Sequence, residues 1–342
     1  CSSDLVSKSP RGSHRPQSPQ APAQTAPTTP GWLAARFWNL AQAGTVVVAL
    51  CTLTVFVGKG WWFLDLYSHF CVQYLACLVL AAAVFAMGRK WRWTAGAGFF
   101  AVVNLVLVAP FLLAPSADPG ATPSIRVLSL NVRGSNRETE RVLRLVEREK
   151  PDVLVLMEVT HRWARELEPL RAEYPHGPLS PLEGNFGLAV LSRQEFLACR
   201  PVRLGRAELP SVLCRLPVGD QVVTLIATHP LPPVTGRYAR LRNQQLLDAA
   251  ALAAAQLGPV AVVGDLNITP WSPWFRALLR EGGLSNARRG HGLRPTWPAG
   301  RLPLRIPIDH CLVSEGLIAG DLRTGPPVGS DHLPLIVDLA LR

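Results

Sequence analysis

Three apolar runs, at about residues 37–57, 69–87 and 95–113, limit what this chain can fold into. Each approaches the ~20 residues with which an α-helix crosses a bilayer core, and none contains Asp, Glu, Lys or Arg. A signal peptide followed by buried core helices does not explain three such runs in succession. Trp61, Trp62, Trp91 and Trp93 stand at the ends of the runs, where the membrane interface favours amphipathic rings. The expectation is three transmembrane helices within residues 33–115.

The basic residues give these helices a direction. Lys8, Arg11, Arg15 and Arg36 precede the first run, and Arg89, Lys90 and Arg92 fill the second connection. The first connection carries only Lys59, offset by Asp65, and after the third run no positive charge appears before Arg126. By the positive-inside rule the N-terminus and the second connection are cytoplasmic, and everything after about residue 115 lies outside. The expected location is a bacterial inner membrane, multi-pass, with the second half of the chain facing the periplasm. Residues 1–32, rich in Pro, Ser, Thr, Gln and Ala, read as a disordered tail. The sequence opens on Cys1 rather than Met. A lipidated Cys1 would have to lie outside, against this topology, so a truncated or processed chain is expected.

The formal net charge is +11, and the excess over residues 121–342 is mild, 27 Lys and Arg against 21 Asp and Glu. That suits an anionic substrate or a membrane surface without choosing between them. Seven cysteines include no C-x-x-C pair, which argues against a cysteine zinc site. Cys199 and Cys214 flank a candidate hairpin, which leaves a disulfide between them open.

Residues 116–123 read as a linker. From Ser124 the pattern alternates. Strands are expected at 125–131, 153–157, 187–191, 222–227, 260–263, 307–313 and 335–341, and helices at 138–149, 237–257 and 274–281. This is an α/β domain over 124–342 with a two-sheet core.

Chemistry gathers where these strands end. Val260-Ala-Val-Val263 is an apolar run suited to a strand buried on both faces, and it stops at Gly264-Asp265-Leu266-Asn267. Asp265 and Asn267, two residues apart, point the same way. Other apolar stretches adjoin Asn131, Glu158, His229, Asp309 with His310, and Asp331 with His332. A lone Glu or His after a strand is ordinarily a cap or a loop residue; six such ends together are not. Oxygen ligands such as Glu158, Asp331 and Asn131 suit a hard divalent cation, which would polarise a phosphoryl oxygen. A water nucleophile needs a base, Asp265 or a histidine. Developing charge needs donors, which His229, His332 and Asn267 offer. Asp309 is available to orient His332. The sequence has no nucleophile elbow and no glycine-rich phosphate loop, which argues against ATP-type chemistry.

In order, Leu-Asn-Val (130–132), Met-Glu-Val (157–159), Thr-His-Pro (228–230), Gly-Asp-Leu-Asn (264–267), Ile-Asp-His (308–310) and Ser-Asp-His (330–332) resemble the motif series of the endonuclease/exonuclease/phosphatase superfamily. Residues 187–193 and Thr296-Trp297-Pro298 resemble its secondary motifs. The three runs ahead of the domain resemble a bacterial membrane-bound subgroup. The resemblance implies a four-layered α/β sandwich, two packed β-sheets flanked by helices, behind three transmembrane helices. It also implies hydrolysis of a phosphoester dependent on Mg²⁺ or Mn²⁺. Asn131, Glu158 and Asp331 would surround the metal, Asp265 would orient or deprotonate water beside Asn267, His229 would contact the phosphate, and His332 would pair with Asp309. Whether Asp265 or His332 is the base stays open.

Arg133 stands where abasic-site nucleases of the superfamily often carry an acidic residue. It disfavours a second metal, and Asn136 is a candidate replacement ligand. Trp271 and Trp274 read as loop packing, and the residues from Arg288 to Gly292 as a mobile basic rim. Arg237, Arg240 and Arg242 would meet substrate phosphate or form a solvated helix face. The leading expectation is a membrane-anchored, outward-facing metal-dependent phosphodiesterase or nuclease with a phosphoester substrate, nucleic acid or phospholipid, and no protein partner evident. The alternatives are a phospholipid or sphingomyelin-type phosphodiesterase, a phosphomonoesterase, and a non-catalytic membrane scaffold.

Overall fold

The structure, a computed structural model, describes residues 30–114 and 124–342. The tail at 1–29 and the linker at 116–123 lie outside the described residues. Two compact units are present, residues 1–42 and 43–342. In the first, residues 30–42 are the opening turns of α1 (Pro30–Val57), so residues 30–32, expected in the tail, are helical. All that follows concerns the second unit.

After α1 come a short α2 (Trp62–Tyr67), a single 3₁₀ turn, α3 (Cys71–Met87) and α4 (Trp91–Leu113). Three stretches, Gly31–Val57, Trp62–Met87 and Trp91–Leu113, are long and apolar enough to cross a membrane. Phe56, Leu80, Phe99, Val102 and Val106 are among the large apolar side chains they leave exposed, a surface that water disfavours. Within the bundle, Asn104 donates from Nδ2 to Thr52 Oγ1 at 2.8 Å and to the Phe100 carbonyl at 2.9 Å. The second stretch starts earlier than its charge-free core because α2 and the turn accommodate Asp65.

The remainder is the expected sandwich. One six-stranded sheet contains β1 (Ile125–Asn131), β2 (Val153–Met157), β3 (Leu179–Ser180), β4 (Leu188–Ser192), β11 (Leu317–Thr324) and β12 (Leu335–Leu341), in the order β11-β12-β1-β2-β4-β3. The other contains β5 (Ala198–Arg203), β6 (Pro210–Val218), β7 (Gln221–Thr228), β8 (Val260–Asp265), β9 (Ser285–Asn286) and β10 (Asp309–Val313), in the order β5-β6-β7-β8-β10-β9. Alternation builds the layers. Val153, Val155 and Met157 face the opposite sheet and pack with Val212, Cys214 and Val263. Leu154 and Leu156 face outward onto α5 (Thr139–Glu149) and α6 (His161–Glu166) through Leu145, Val146 and Trp163. On the second sheet, Ile226, Val262 and Leu312 pack on α7 (Gly236–Ala254) and α8 (Pro273–Gly282) through Leu246, Ala250, Phe275 and Leu278. A strand buried on both faces must be apolar throughout, which is why these strands read so plainly. Cys199 and Cys214 are cross-strand partners of β5 and β6 joined by a disulfide.

Register brings the polar ends to one edge. Parallel β1 and β2 set Asn131 beside Met157, one residue before Glu158. Parallel β7 and β8 set Ala227 beside Val263, so His229 and Asp265 emerge together. β10 runs antiparallel and pairs Asp309 with Asp265. Asp309 therefore opens its strand instead of closing it, and reaches the same edge because the strand is reversed. Asp331 and His332 likewise lie ahead of β12, which is antiparallel to β1.

Gly264 makes the convergence of β7 and β8 possible. A Cβ there would stand 2.0 Å from the Thr228 carbonyl oxygen, and its φ of 150° is one that L side chains rarely adopt. Gly264→Ala should destabilise the domain by about 3 kcal/mol, read as a lowered midpoint of thermal unfolding. An unchanged midpoint would mean that the two strands need not approach this closely.

Candidate active site

A cavity of about 470 Å³ opens at this edge and is lined by Asn131, Glu158, His229, Asp265, Asn267, Asp331 and His332. Seven of the eight expected site residues thus share one space. The eighth, Asp309, is buried behind His332.

Asn131 is the brace of the floor. Its Nδ2 donates to Glu158 Oε1 at 3.0 Å and to Asp265 Oδ2 at 3.2 Å, and its Oδ1 accepts from the Arg133 N–H. The carboxamide holds two carboxylates apart at a fixed spacing. Glu158 also accepts from the Gly134 N–H at 3.1 Å. Arg133, Glu158 and Asn267 have φ of 58°, 61° and 50°. Left-handed backbone is costly for arginine and glutamate, roughly 1–3 kcal/mol each, and such strain gathers at functional sites.

On the opposite side, His332 Nδ1 lies 2.9 Å from Asp309 Oδ2, and its Nε2 lies 3.6 Å from Asp265 Oδ2. Burial alone would lower the His332 pKa. The carboxylates of Asp309 and Asp265 outweigh it and push it up to about 10. Burial would raise Asp309, but the charge of His332 and their hydrogen bond hold it below the ordinary carboxylate range. Asp265 moves the other way. Burial, aided by Asp309, raises it against the pull of His332 and His229. A cationic imidazole therefore faces a carboxyl group with raised proton affinity. His229 donates Nδ1–H to the Asp265 carbonyl oxygen at 3.0 Å, which leaves Nε2 for the cavity. Asn267 ties Asp265 Oδ1 through its backbone N–H and anchors its own amide on the Pro230 carbonyl.

Two clusters suit a cation differently. Asp265, Asp309 and His332 each place one ligand atom within 4.8 Å of the others. Both imidazole nitrogens there already face carboxylates, and a protonated imidazole cannot ligate. Glu158 is the better fit. It is half-buried, faces the cavity, and among the described residues has no cationic side chain within 4.0 Å. Two N–H donors fix its oxygens and leave lone pairs free for a hard cation. Asp331 accepts from the Trp297 indole at 3.1 Å and lies 3.9 Å from Arg133, so Arg133 shares that carboxylate.

Several expectations need correction. Asn136 is buried away from the cavity, donates to the Val328 carbonyl and accepts from the Glu138 N–H; it is a loop brace, with no group free to ligate. Arg288 is buried and donates to the Asp309 and Arg294 carbonyls, so it is no mobile rim, and burial lowers its pKa to about 10. Asp65 does not offset Lys59. It accepts from Arg242 at 2.7 Å and from Ser272 at 2.6 Å, with both ions about 1% exposed. Arg242 also donates to the Asn267 carbonyl at 3.0 Å, so it meets neither solvent nor the cavity. Trp271 is buried against Phe111 and donates to the Leu107 carbonyl, the packing role expected. His310, packed on Phe275, bonds the Ile268 carbonyl.

The Endonuclease/Exonuclease/phosphatase family is matched over residues 128–332, and the chain belongs to it. Solved structures share the fold at low identity. An endonuclease/exonuclease/phosphatase from Bacteroides vulgatus is 17% identical, with a TM-score of 0.53 over 64% of this chain and 99% of its own. TDP2 of D. rerio humanised by 14 mutations is 15% identical, with a TM-score of 0.52 over 63% and 98%. A Beutenbergia cavernae member is 23% identical, with a TM-score of 0.50 over 64% and 72%. No protein of curated function matches this sequence.

Removing one partner of the Asp65–Arg242 pair strands a buried charge. Arg242→Met should cost about 3–5 kcal/mol, and Asp65→Leu/Arg242→Met should recover most of it, measured as unfolding midpoints of the purified full chain. Equal midpoints for the single variant and the original protein would show that the pair carries no such weight.

Proposed function

We propose that this protein is a membrane-anchored, metal-dependent phosphodiesterase whose catalytic domain faces the periplasm. The convergence of Glu158, Asp265, His229 and His332 on one cavity carries this reading, supported by membership of the family. Glu158, with Asp331 and the Asn131 carboxamide, would hold a divalent cation, Mg²⁺ or Mn²⁺. When bound, that cation supplies Lewis-acid polarisation of the phosphoryl oxygens. Asp265, with its raised proton affinity, accepts the proton of the attacking water. A P–O bond forms to the water oxygen and the P–O bond to the leaving group breaks. His332, held cationic by Asp309, stabilises the charge gathering on the phosphoryl oxygens, and His229 adds to this only in its doubly protonated form, with Nδ1–H on the Asp265 carbonyl and Nε2–H toward the cavity. The base left open between Asp265 and His332 is thereby Asp265, because a protonated imidazole has no lone pair to offer.

Arg133 next to Asp331 supports a single metal. The basic cluster of Arg89, Lys90 and Arg92 between α3 and α4 supports the outward placement. The contacts of Val55, Leu107 and Phe111 with the catalytic domain set that domain at the other end of the bundle. A disulfide in the catalytic domain suits an oxidising compartment.

Asp265→Asn and His332→Ala should each lower hydrolysis of bis(p-nitrophenyl) phosphate by about 10²–10⁴, and EDTA should abolish it reversibly. Wild-type turnover in both variants would overturn the assignment. A phosphatase reporter fused after Arg342 should be active only outside the cytoplasm; activity inside would invert the topology.

A further inference from the structure

The cavity has a second character beyond its polar floor. Leu66 and Phe70 form part of its wall together with Phe186, Val234 and Ile306. The first two belong to the membrane segment, Leu66 on α2 and Phe70 in the turn before α3. The membrane region thus builds part of the candidate active site as well as leading up to it.

The depth of this wall follows from helix geometry. The 17 residues of α3 rise about 26 Å, close to the ~30 Å of a hydrocarbon core. Phe70, immediately before α3, therefore sits at the headgroup boundary. Trp61, Phe63 and Tyr67 are exposed around it, as aromatic residues are at that level. The wall is also fixed. Asp65 is held by Arg242 and Ser272, His69 Nδ1 lies 2.9 Å from Thr269 Oγ1, and Gln73 donates to the Pro303 and Arg305 carbonyls. These links span α2, the turn and the first turn of α3.

We infer that the substrate is a membrane-resident phosphodiester lipid. Its phosphate lies on the polar floor while an apolar arm runs along Leu66 and Phe70 toward the bilayer. This rests on the hydrolase reading above and names its substrate class. Water adds to phosphorus, one P–O ester bond breaks, and a phosphomonoester and an alcohol are released. A nucleic acid offers phosphate and bases but no flexible apolar arm for this wall.

The test uses the full-length protein in detergent micelles with Mg²⁺ or Mn²⁺. Its substrates are mixed vesicles of phosphatidylethanolamine and phosphatidylglycerol, a single-stranded DNA oligonucleotide, and bis(p-nitrophenyl) phosphate. Phospholipid should be hydrolysed with at least tenfold higher kcat/KM than DNA. Phe70→Ser should lower the ratio of phospholipid to bis(p-nitrophenyl) phosphate turnover about tenfold. Val234→Asp, on a loop whose side chain is 67% exposed and so tolerant of change, should lower the same ratio. Hydrolysis of bis(p-nitrophenyl) phosphate with DNA preferred over phospholipid, or with the ratio unchanged in both variants, would overturn this inference and leave the hydrolase standing. No hydrolysis of any substrate would overturn the hydrolase reading and this one with it.

Discussion

The buried pair of Asp65 and Arg242 ties the membrane segment to the catalytic domain. Taking two charges out of water costs several kcal/mol per ion, and only complete hydrogen bonding offsets it. Here each guanidinium nitrogen and each carboxylate oxygen has a partner. Arg242 spends Nε on Asn243, NH1 on the Asn267 carbonyl and NH2 on Asp65, and Asp65 gives its other oxygen to Ser272 and Ser68. Desolvation lowers the Arg242 pKa while Asp65 opposes it. Such a pair adds little net stability over apolar side chains of similar size, but it permits only one register between α2 and α7. Because the same guanidinium grips the backbone of Asn267, the register of the N-terminal helices is also the register of the loop at the candidate site.

From that anchor the site is assembled by topology. Parallel pairs β1–β2 and β7–β8 deliver Glu158, His229 and Asp265 at their C-terminal ends, and the reversed β10 and β12 deliver Asp309, Asp331 and His332 at their entries. Six strands running in two opposed directions in their sheets thus supply one edge. Three residues beside or at this edge, Arg133, Glu158 and Asn267, have left-handed backbone.

Much of this was legible in the sequence because its causes are local. Charge-free runs, apolar strands such as Val-Leu-Val-Leu-Met and the polar residues beside them each lie within about ten residues. What stayed hidden depends on distant partners. Asp65 and Arg242 are 177 residues apart, so Asp65 reads in the sequence as the answer to Lys59, and Arg242 as a contact to substrate phosphate or part of a solvated face. Arg288 looked like a rim residue because its acceptors are carbonyls, which any sequence position offers equally. β5 and β6 were legible only as a candidate hairpin at Cys199 and Cys214, without bounds, because β5 is an edge strand that carries Pro201 and β6 carries Pro210 and Pro217. Proline has no N–H to donate to a ladder, so it argues against a strand unless its nitrogen stands where no donor is needed.

Charge is divided across the cavity, with a cationic imidazole on one side and the Glu158 carboxylate on the other. Asp309 and Asp265 hold a positive imidazole on one side, and a divalent ion placed among those three groups would have to displace that proton against two carboxylates. Glu158 lies on the other side of the Asn131 carboxamide, among the described residues without a cation of its own, and with its oxygens fixed by N–H donors. Asn131 spans the gap with both amide hydrogens, one to Glu158 and one to Asp265, so neither carboxylate can collapse onto the other's partner. A phosphate entering between them meets positive charge from His332 on one flank and open oxygen ligands on the other. That arrangement requires the carboxamide at position 131. A carboxylate there would add a third negative charge and repel the two it now separates, and an apolar side chain would leave them free to share the imidazole.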